Sequence, residues 1–255
     1  MTPNAKPHIL FIDTNDAMGG VVRVHINLLA AIDKTRFDVS LACQYPSPIF
    51  PHFKPLQHIK LIPLDTGTKS VKQCSGFGAA VHNLVGTMKL CISIAKLTLY
   101  CRWQKVDVIY TSDKRRAVIL STLLARLSNR PLVYHIHNVY VDHLMNRYAL
   151  NKATTVVANS GAMKENFVAE RGRSMARIQV IHNGLNTDVF RPDIASTLRH
   201  ELALPDSALL VGATARLAPE KGQDTLLKAI AAARRHADNI HCVIVGDDSI
   251  FSNNR

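Results

Sequence analysis

The chain has 255 residues, a formal net charge of +12, 47% apolar side chains and 20% charged side chains. This balance is typical of a globular protein and excludes a disordered chain, and the length allows one large domain or two modest ones. The five cysteines are odd in number and include no Cys-x-x-Cys pair, which favours reduced thiols over a disulfide framework or a zinc site.

Short apolar runs alternate with helical patterns along the first 184 residues. Residues 1–7 lead into the first run without the apolar core of a signal peptide, so we expect a cytoplasmic protein. The predicted strands are 8–13, 37–43, 59–62, 107–111, 131–136, 154–159 and 178–181. The predicted helices are 21–32, 79–100, 116–127, 143–151 and 162–170. This alternation predicts an α/β domain with a doubly wound parallel sheet, similar to a Rossmann domain.

Three of the predicted helices carry further signals. Ser160 is the predicted N-cap of helix 162–170. The predicted buried stripe of the first helix consists of Val21, Val24, Leu28, Leu29 and Ile32. In helix 79–100 a polar stripe of His82, Lys89 and Lys96 lies opposite an apolar side formed by Leu84, Val85, Met88, Cys91, Ile92, Ala95 and Leu99. This pattern predicts an amphipathic helix that does not span a membrane.

Basic residues are concentrated in the segment 69–116, where nine Lys or Arg accompany only Asp107 and Asp113. An anionic membrane surface, an anionic substrate and a solvated basic face would each explain this excess, and these alternatives stay open. The sequence has no helix-turn-helix pattern and no repeat of aromatic and basic residues. We therefore expect no nucleic-acid partner.

The residue pattern changes after Ile181. Residues 182–192 are rich in turn-forming residues, which predicts a linker. A short helix at 194–203 is followed by strand 208–213, helix 223–236 and strand 240–246. These elements predict one βαβ unit of a second doubly wound domain. We assign residues 1–184 to the N-terminal domain, 185–206 to the linker and connecting helix, and 207–255 to the start of the C-terminal domain.

Two turns contain candidate anion-binding groups. Arg216 and Lys221 lie between a strand and a helix start, and two cations beside a helix N-terminus predict a diphosphate site. Gly19 and Gly20 follow the first strand, and they either let a ligand approach the backbone or simply form a tight turn.

His135 and His137 lie two residues apart on a predicted strand and therefore share a face. The sequence offers no third ligand for a metal, so we expect none. We expect His135 to be a histidine of the core or the sheet surface, and His137 to lie at the carboxyl edge where doubly wound sheets bind ligands. The G-x-G-x-x-G fingerprint is absent, and no NAD is expected.

Four segments, 9–25, 134–138, 180–192 and 212–230, together resemble the family 4 retaining nucleotide-sugar glycosyltransferases, which have the GT-B fold. Residues 180–192, V-I-H-N-G-L-N-T-D-V-F-R-P, are similar to the family's V-I-P-N-G-x-D-x-x-x-F-x-P between the lobes, with His182 in place of proline. Residues 215–229, A-R-L-A-P-E-K-G-Q-D-T-L-L-K-A, are similar to its G-R-L-x-x-x-K-G-x-D-x-L-I-x-A at the opening of the donor lobe.

The resemblance implies transfer of a sugar from a nucleoside-diphosphate sugar to a glycan or glycolipid acceptor, with retained configuration and no metal or other cofactor. Arg216 and Lys221 would neutralise the donor diphosphate, and Gly19 and Gly20 would lie near its phosphates. The catalytic residue would be His137, in contact with the transferred sugar. Candidates for acceptor or sugar contacts are Arg23, His25 and Asn138, with a solvated surface position as the alternative for Arg23 and His25.

In the family, an E-x7-E motif and the nucleotide-base pocket lie further along the second lobe than Arg255. The alternative function is therefore a truncated, inactive chain that acts at most as a binding module, and we expect little or no transfer by residues 1–255 alone. The expected location is cytoplasmic, either in solution or peripheral at the inner membrane face.

Overall fold

The computed structural model describes residues 6–67, 77–112, 114–137, 151–171, 178–194 and 196–246, without the side chains of 77–80, 82 and 169–171. Residue contacts divide the chain into two compact units, Met1–Asn186 and Thr187–Arg255. The predicted three-part division at 184 and 206 stays a prediction.

Seven parallel strands form the sheet of the first unit, in the order β3-β2-β1-β4-β5-β6-β7. They are β1 (His8–Asp13), β2 (Asp38–Gln44), β3 (Lys60–Leu64), β4 (Val108–Ser112), β5 (Leu132–Ile136), β6 (Thr155–Ala158) and β7 (Ile178–Val180). The predicted α/β class with a doubly wound sheet is confirmed. The strand order reverses between β1 and β4, where Ile12 pairs with Thr111. Doubly wound sheets bind ligands at the carboxyl ends of the strands beside such a reversal.

The described helices of this unit are α1 (Gly20–Ala31), α2 (Phe50–Phe53), α3 (Phe77–Trp103), α4 (Arg115–Ser128) and α5 (Gly161–Arg171). The Oγ of Ser160 accepts a hydrogen bond from the backbone N–H of Met163 at 3.1 Å, which confirms the predicted cap of α5. The sequence did not predict α2, because four residues are too few to show a helical period. Most of the predicted helix 143–151 lies outside the described residues.

The sheet separates two apolar clusters, and consecutive residues of β1 contribute to opposite ones. Leu10 and Ile12 belong to the cluster that includes α3 and α4, whereas Phe11 packs with α1 in the other. The buried residues of α1 are Val22, His25 and Leu29, while Leu28 is 38% exposed. The predicted buried stripe of α1 is therefore wrong in part, because it omitted Val22 and His25 and included Leu28.

In the second unit, β8 (Leu209–Thr214) and β9 (Ile240–Val245) pair in parallel, joined through α7 (Gln223–Ala233). The predicted βαβ unit is confirmed. Between β8 and α7 lies a 3-10 turn at Pro219–Lys221. The helix predicted at 194–203 is shorter in the structure, where α6 covers Leu198–Glu201.

Candidate active site

A buried carboxylate and imidazole form a pair beside the reversal of strand order. Asp13 ends β1 and His25 lies on α1, and their residues are 0% and 1% exposed. Nδ1 of His25 lies 2.7 Å from Oδ2 of Asp13, and since a carboxylate only accepts, the imidazole nitrogen donates. Asn15 donates to the other oxygen from its backbone nitrogen and its side chain, at 2.7 and 2.6 Å.

These contacts keep Asp13 ionised inside the protein. Burial alone would raise the pKa of Asp13, but the hydrogen bond and charge of His25, together with the donors of Asn15, hold that pKa below its ordinary value. Asp13 is therefore a fixed, ionised carboxylate at the end of β1.

The ring of His25 belongs to a cluster of four neighbouring rings, those of His25, Tyr110, His135 and His137. Its Nε2 is buried and has no hydrogen-bond partner among the described residues, which is uncommon for a buried polar atom. The ring of His25 lies edge-on to those of Tyr110 and His137, with centroids 6.0 and 6.2 Å apart. His25 is thus a buried residue, and the alternative of a solvated surface position is wrong for it. Its contact with acceptor or sugar stays a prediction.

Two further histidines complete the cluster from β5. His135 is buried, as expected, and its Nδ1 shares a hydrogen bond with the hydroxyl of Tyr110. His137 follows the last residue of β5, and its ring centroid lies 4.0 Å from that of His135. Burial lowers the pKa of His135 to about 4, assisted by the charge of His25. Burial and the charges of His135 and His25 lower the pKa of His137 to about 3.

His135 and His137 are therefore neutral at pH 7, and their lowered pKa values make the stability of the protein depend on pH. A histidine whose pKa is lower in the folded state than in the unfolded state contributes its full stabilisation at pH values above 6.5, which is its pKa in the unfolded chain. That contribution is lost as the pH falls towards about 4, because the unfolded chain binds the proton first. We expect the free energy of unfolding, measured in urea, to fall as the pH is lowered over this interval.

Nuclear magnetic resonance of the imidazole nitrogens would show which histidines cause this loss of stability at low pH. The signals of His135 and His137 should not titrate between pH 8 and 5, because burial lowers the pKa of both side chains. A midpoint near 6.5 for His137 would contradict the buried, neutral cluster.

The two glycines of the loop after β1 have open space around them. A Cβ built on Gly19 or Gly20 would meet nothing within 4 Å, and neither residue has a positive φ. The turn itself therefore does not require glycine at these positions, which removes the simple tight-turn explanation. Helix α1 has no acidic residue in its first turn, and Arg23 is exposed. Asn138, the remaining predicted residue of this unit, lies outside the described residues.

In the second unit, the turn after β8 presents two cations at the start of α7. The guanidinium of Arg216 pairs with Glu220 at 2.7 Å, and its backbone oxygen accepts from Nε2 of Gln223 at 2.8 Å. Lys221 is exposed at the end of the 3-10 turn. Gly222 then caps α7 with φ +69, a conformation that favours glycine. Glu220 already balances part of the charge of Arg216, which makes Lys221 the more available cation.

The sequence-based site omitted Asp13 and Tyr110. Asp13 had a usable signal, because a carboxylate that ends an apolar strand lies at the carboxyl edge of the sheet, where doubly wound sheets bind ligands. Tyr110 had none, since a tyrosine in a strand is an ordinary core residue. Among the described residues, no group of three or more His, Cys, Asp or Glu side chains could hold a metal ion.

Comparison with known proteins gives the family context. The sequence model of Glycosyltransferase Family 4 matches residues 18–189, a stretch that includes the glycine turn, His25 and both β5 histidines. A GDP-mannose-dependent alpha-(1-6)-phosphatidylinositol monomannoside mannosyltransferase of Mycobacterium tuberculosis is 41% identical over 73 residues, which are 28% of this chain and 19% of that protein.

Two solved structures share the fold across most of the chain. The lipopolysaccharide outer core galactosyltransferase, in its apo form, has a TM-score of 0.61 and 17% identity, and the match covers 96% of this chain and 62% of that one. A UDP-GlcNAc 2-epimerase from Neisseria meningitidis, bound to UDP-GlcNAc, has a TM-score of 0.57 and 12% identity, over 93% and 64% of the two chains. These matches confirm the GT-B-like α/β class, and this chain spans less than two thirds of either structure.

Proposed function

Because the chain belongs to glycosyltransferase family 4, we propose that it transfers a sugar from a nucleoside-diphosphate sugar to a glycan or glycolipid acceptor, with retained configuration. The family match over residues 18–189 carries this proposal. The name of the M. tuberculosis relative, with its GDP-mannose donor and lipid-linked acceptor, supports the class of both substrates. The shared fold does not decide the reaction, since an epimerase has it too.

The first chemical demand of this reaction is to stabilise the diphosphate as it leaves. Negative charge develops on its oxygens as the bond to the anomeric carbon breaks, and fixed positive groups lower the energy of that state. We assign this role to Arg216 and Lys221 at the start of α7. For Gly19 and Gly20 in the first unit we propose backbone contact with donor phosphate, as the resemblance implies, and the absence of any steric or conformational need for glycine there supports this.

The sugar makes the opposite demand, because positive charge develops on it. The neutral state of His137 suits this position, since an imidazolium would repel the developing charge while a neutral ring offers a hydrogen bond. We assign His137 the contact with the transferred sugar. The buried Asp13–His25 pair holds the cluster in which His137 lies, and Arg23 and Asn138 are proposed for acceptor or sugar contacts.

The alternative, an inactive chain that only binds an acceptor, is not favoured by the comparisons. The relative named above is called a transferase, and nothing in its name points to a binding module. The proposed enzyme needs no metal, because the two cations neutralise the diphosphate.

A panel of donors tests the proposal. The purified full-length protein is incubated with uridine- and guanosine-diphosphate sugars, with and without lipid-linked and soluble glycan acceptors. We expect release of nucleoside diphosphate that depends on the acceptor, with the acceptor-free reaction as the control. Donors that stay unaltered across the panel would count against the proposed function.

A further inference from the structure

Helix α3 exposes a continuous apolar stripe to solvent. Trp103 and Leu99 are 80% and 67% exposed, and the other large exposed apolar side chains of this helix are Val81, Leu84, Val85, Met88 and Ile92. At 100° per residue, all seven fall within an arc of about 100°. The stripe from Val81 to Trp103 is about 33 Å long. The sequence pattern placed this apolar side opposite the lysines, but Lys96 lies at its edge, and among the described residues these side chains stay exposed.

The opposite side of α3 belongs to the core. Ile94, Leu97 and Cys101 are buried in the cluster with Leu120 and Leu124 of α4. By length and apolar composition alone, residues 83–103 could cross a membrane. Crossing would pull Ile94, Leu97 and Cys101 out of the sheet's core, so the packing favours a helix that stays on the domain and presents one face outward.

The charged residues of α3 and α4 beside the stripe are all basic. Lys96 lies on one side of the stripe and Arg102 on the other, each about 60° from its centre. Neither α3 nor the adjacent α4 contains an acidic residue. Arg102 also donates to the backbone oxygen of Leu127, whose side chain adds a further exposed apolar group.

We propose that the exposed stripe of α3 lies in the interfacial layer of an anionic membrane, with the helix axis parallel to the bilayer. An apolar face flanked by Lys and Arg, with tryptophan at its end, has the chemistry of a helix that lies on such a surface. A second copy of the chain fits less well, because a symmetric contact would oppose the cations of α3 and α4 to themselves. This docking does not depend on sugar transfer.

Trp103 gives a direct readout, because it is the chain's single tryptophan. The full-length protein is mixed with phosphatidylcholine vesicles that contain or lack phosphatidylglycerol, and binding is measured by flotation. With anionic vesicles we expect binding, a shift of tryptophan emission to shorter wavelength, and quenching by brominated acyl chains. Added salt should weaken the binding without abolishing it, because the apolar contribution remains.

The variant Met88→Glu/Leu99→Glu changes two exposed side chains and should fold normally by circular dichroism. Its partition onto anionic vesicles should fall by about tenfold or more. The matched control is Leu227→Glu, at a residue of α7 with similar exposure, and it should bind as the wild type does.

Three outcomes would overturn the proposal. The first is no flotation with anionic vesicles, or equal binding to neutral ones. The second is unchanged binding by the double variant. The third is a dimer in solution that the double variant dissociates, without vesicle binding, which would assign the stripe to a second copy of the chain.

Discussion

Replacing Lys221 by methionine should lower kcat for sugar transfer by about 10²- to 10³-fold, the usual loss when one aimed positive group is removed from a developing anion. The charge on the diphosphate grows only as the glycosidic bond breaks, so kcat should fall more than the donor KM rises. Folding should be unaffected, because Lys221 is exposed. Initial rates over a range of donor concentrations would measure both constants.

The matched control is Lys228→Met, which removes an exposed lysine from the body of α7 rather than from its start. Its kcat should stay within about twofold of the wild type, since the helix dipole and its free N–H groups act only at the first turn. Equal losses in the two variants would show a general effect of charge and would remove the proposed role of Lys221.

Replacing Asp13 by alanine should have the largest effect on stability. It leaves Nδ1 of the buried His25 without its hydrogen-bond acceptor, and an unsatisfied buried polar group typically costs about 1–3 kcal/mol. The hydrogen bonds from Asn15 to the same carboxylate are lost as well. Urea unfolding followed by circular dichroism at pH 7 would measure the loss.

Asp16→Ala provides a control three residues away. Asp16 also forms an ion pair, at 2.8 Å with Lys114, but both side chains are about half exposed. Such surface pairs contribute at most about 1 kcal/mol, so this variant should be close to the wild type. Similar losses for Asp13→Ala and Asp16→Ala would mean that the buried pair is not a special feature of the fold.

Local patterns predict the strands well because each buried strand is a short, bounded apolar run. β1 (His8–Asp13) is predicted to the residue, and β4 and β5 to within one residue at each end. Register and strand order have no comparable signal, since they depend on pairing between segments far apart in the chain. The reversal between β1 and β4, which locates the site, is visible only in the structure.

Apolar periodicity in a helix does not say what covers each of its faces. In α1 the buried stripe includes His25, whose polarity is satisfied by Asp13, twelve residues earlier in the chain. In α3 two sides are apolar, and only packing shows that Ile94 and Leu97 face the core while Leu99 faces solvent. The sequence therefore identified the histidines but could not show that Asp13 and Tyr110 hold them.

The product of the reaction tests the central claim most directly. Proton nuclear magnetic resonance of the full-length protein with its donor and acceptor distinguishes transfer from epimerisation, the reaction named for one protein that shares the fold. A new glycosidic bond with the anomeric configuration of the donor is the predicted result. An epimerised free donor, or a product of inverted configuration, would contradict the account.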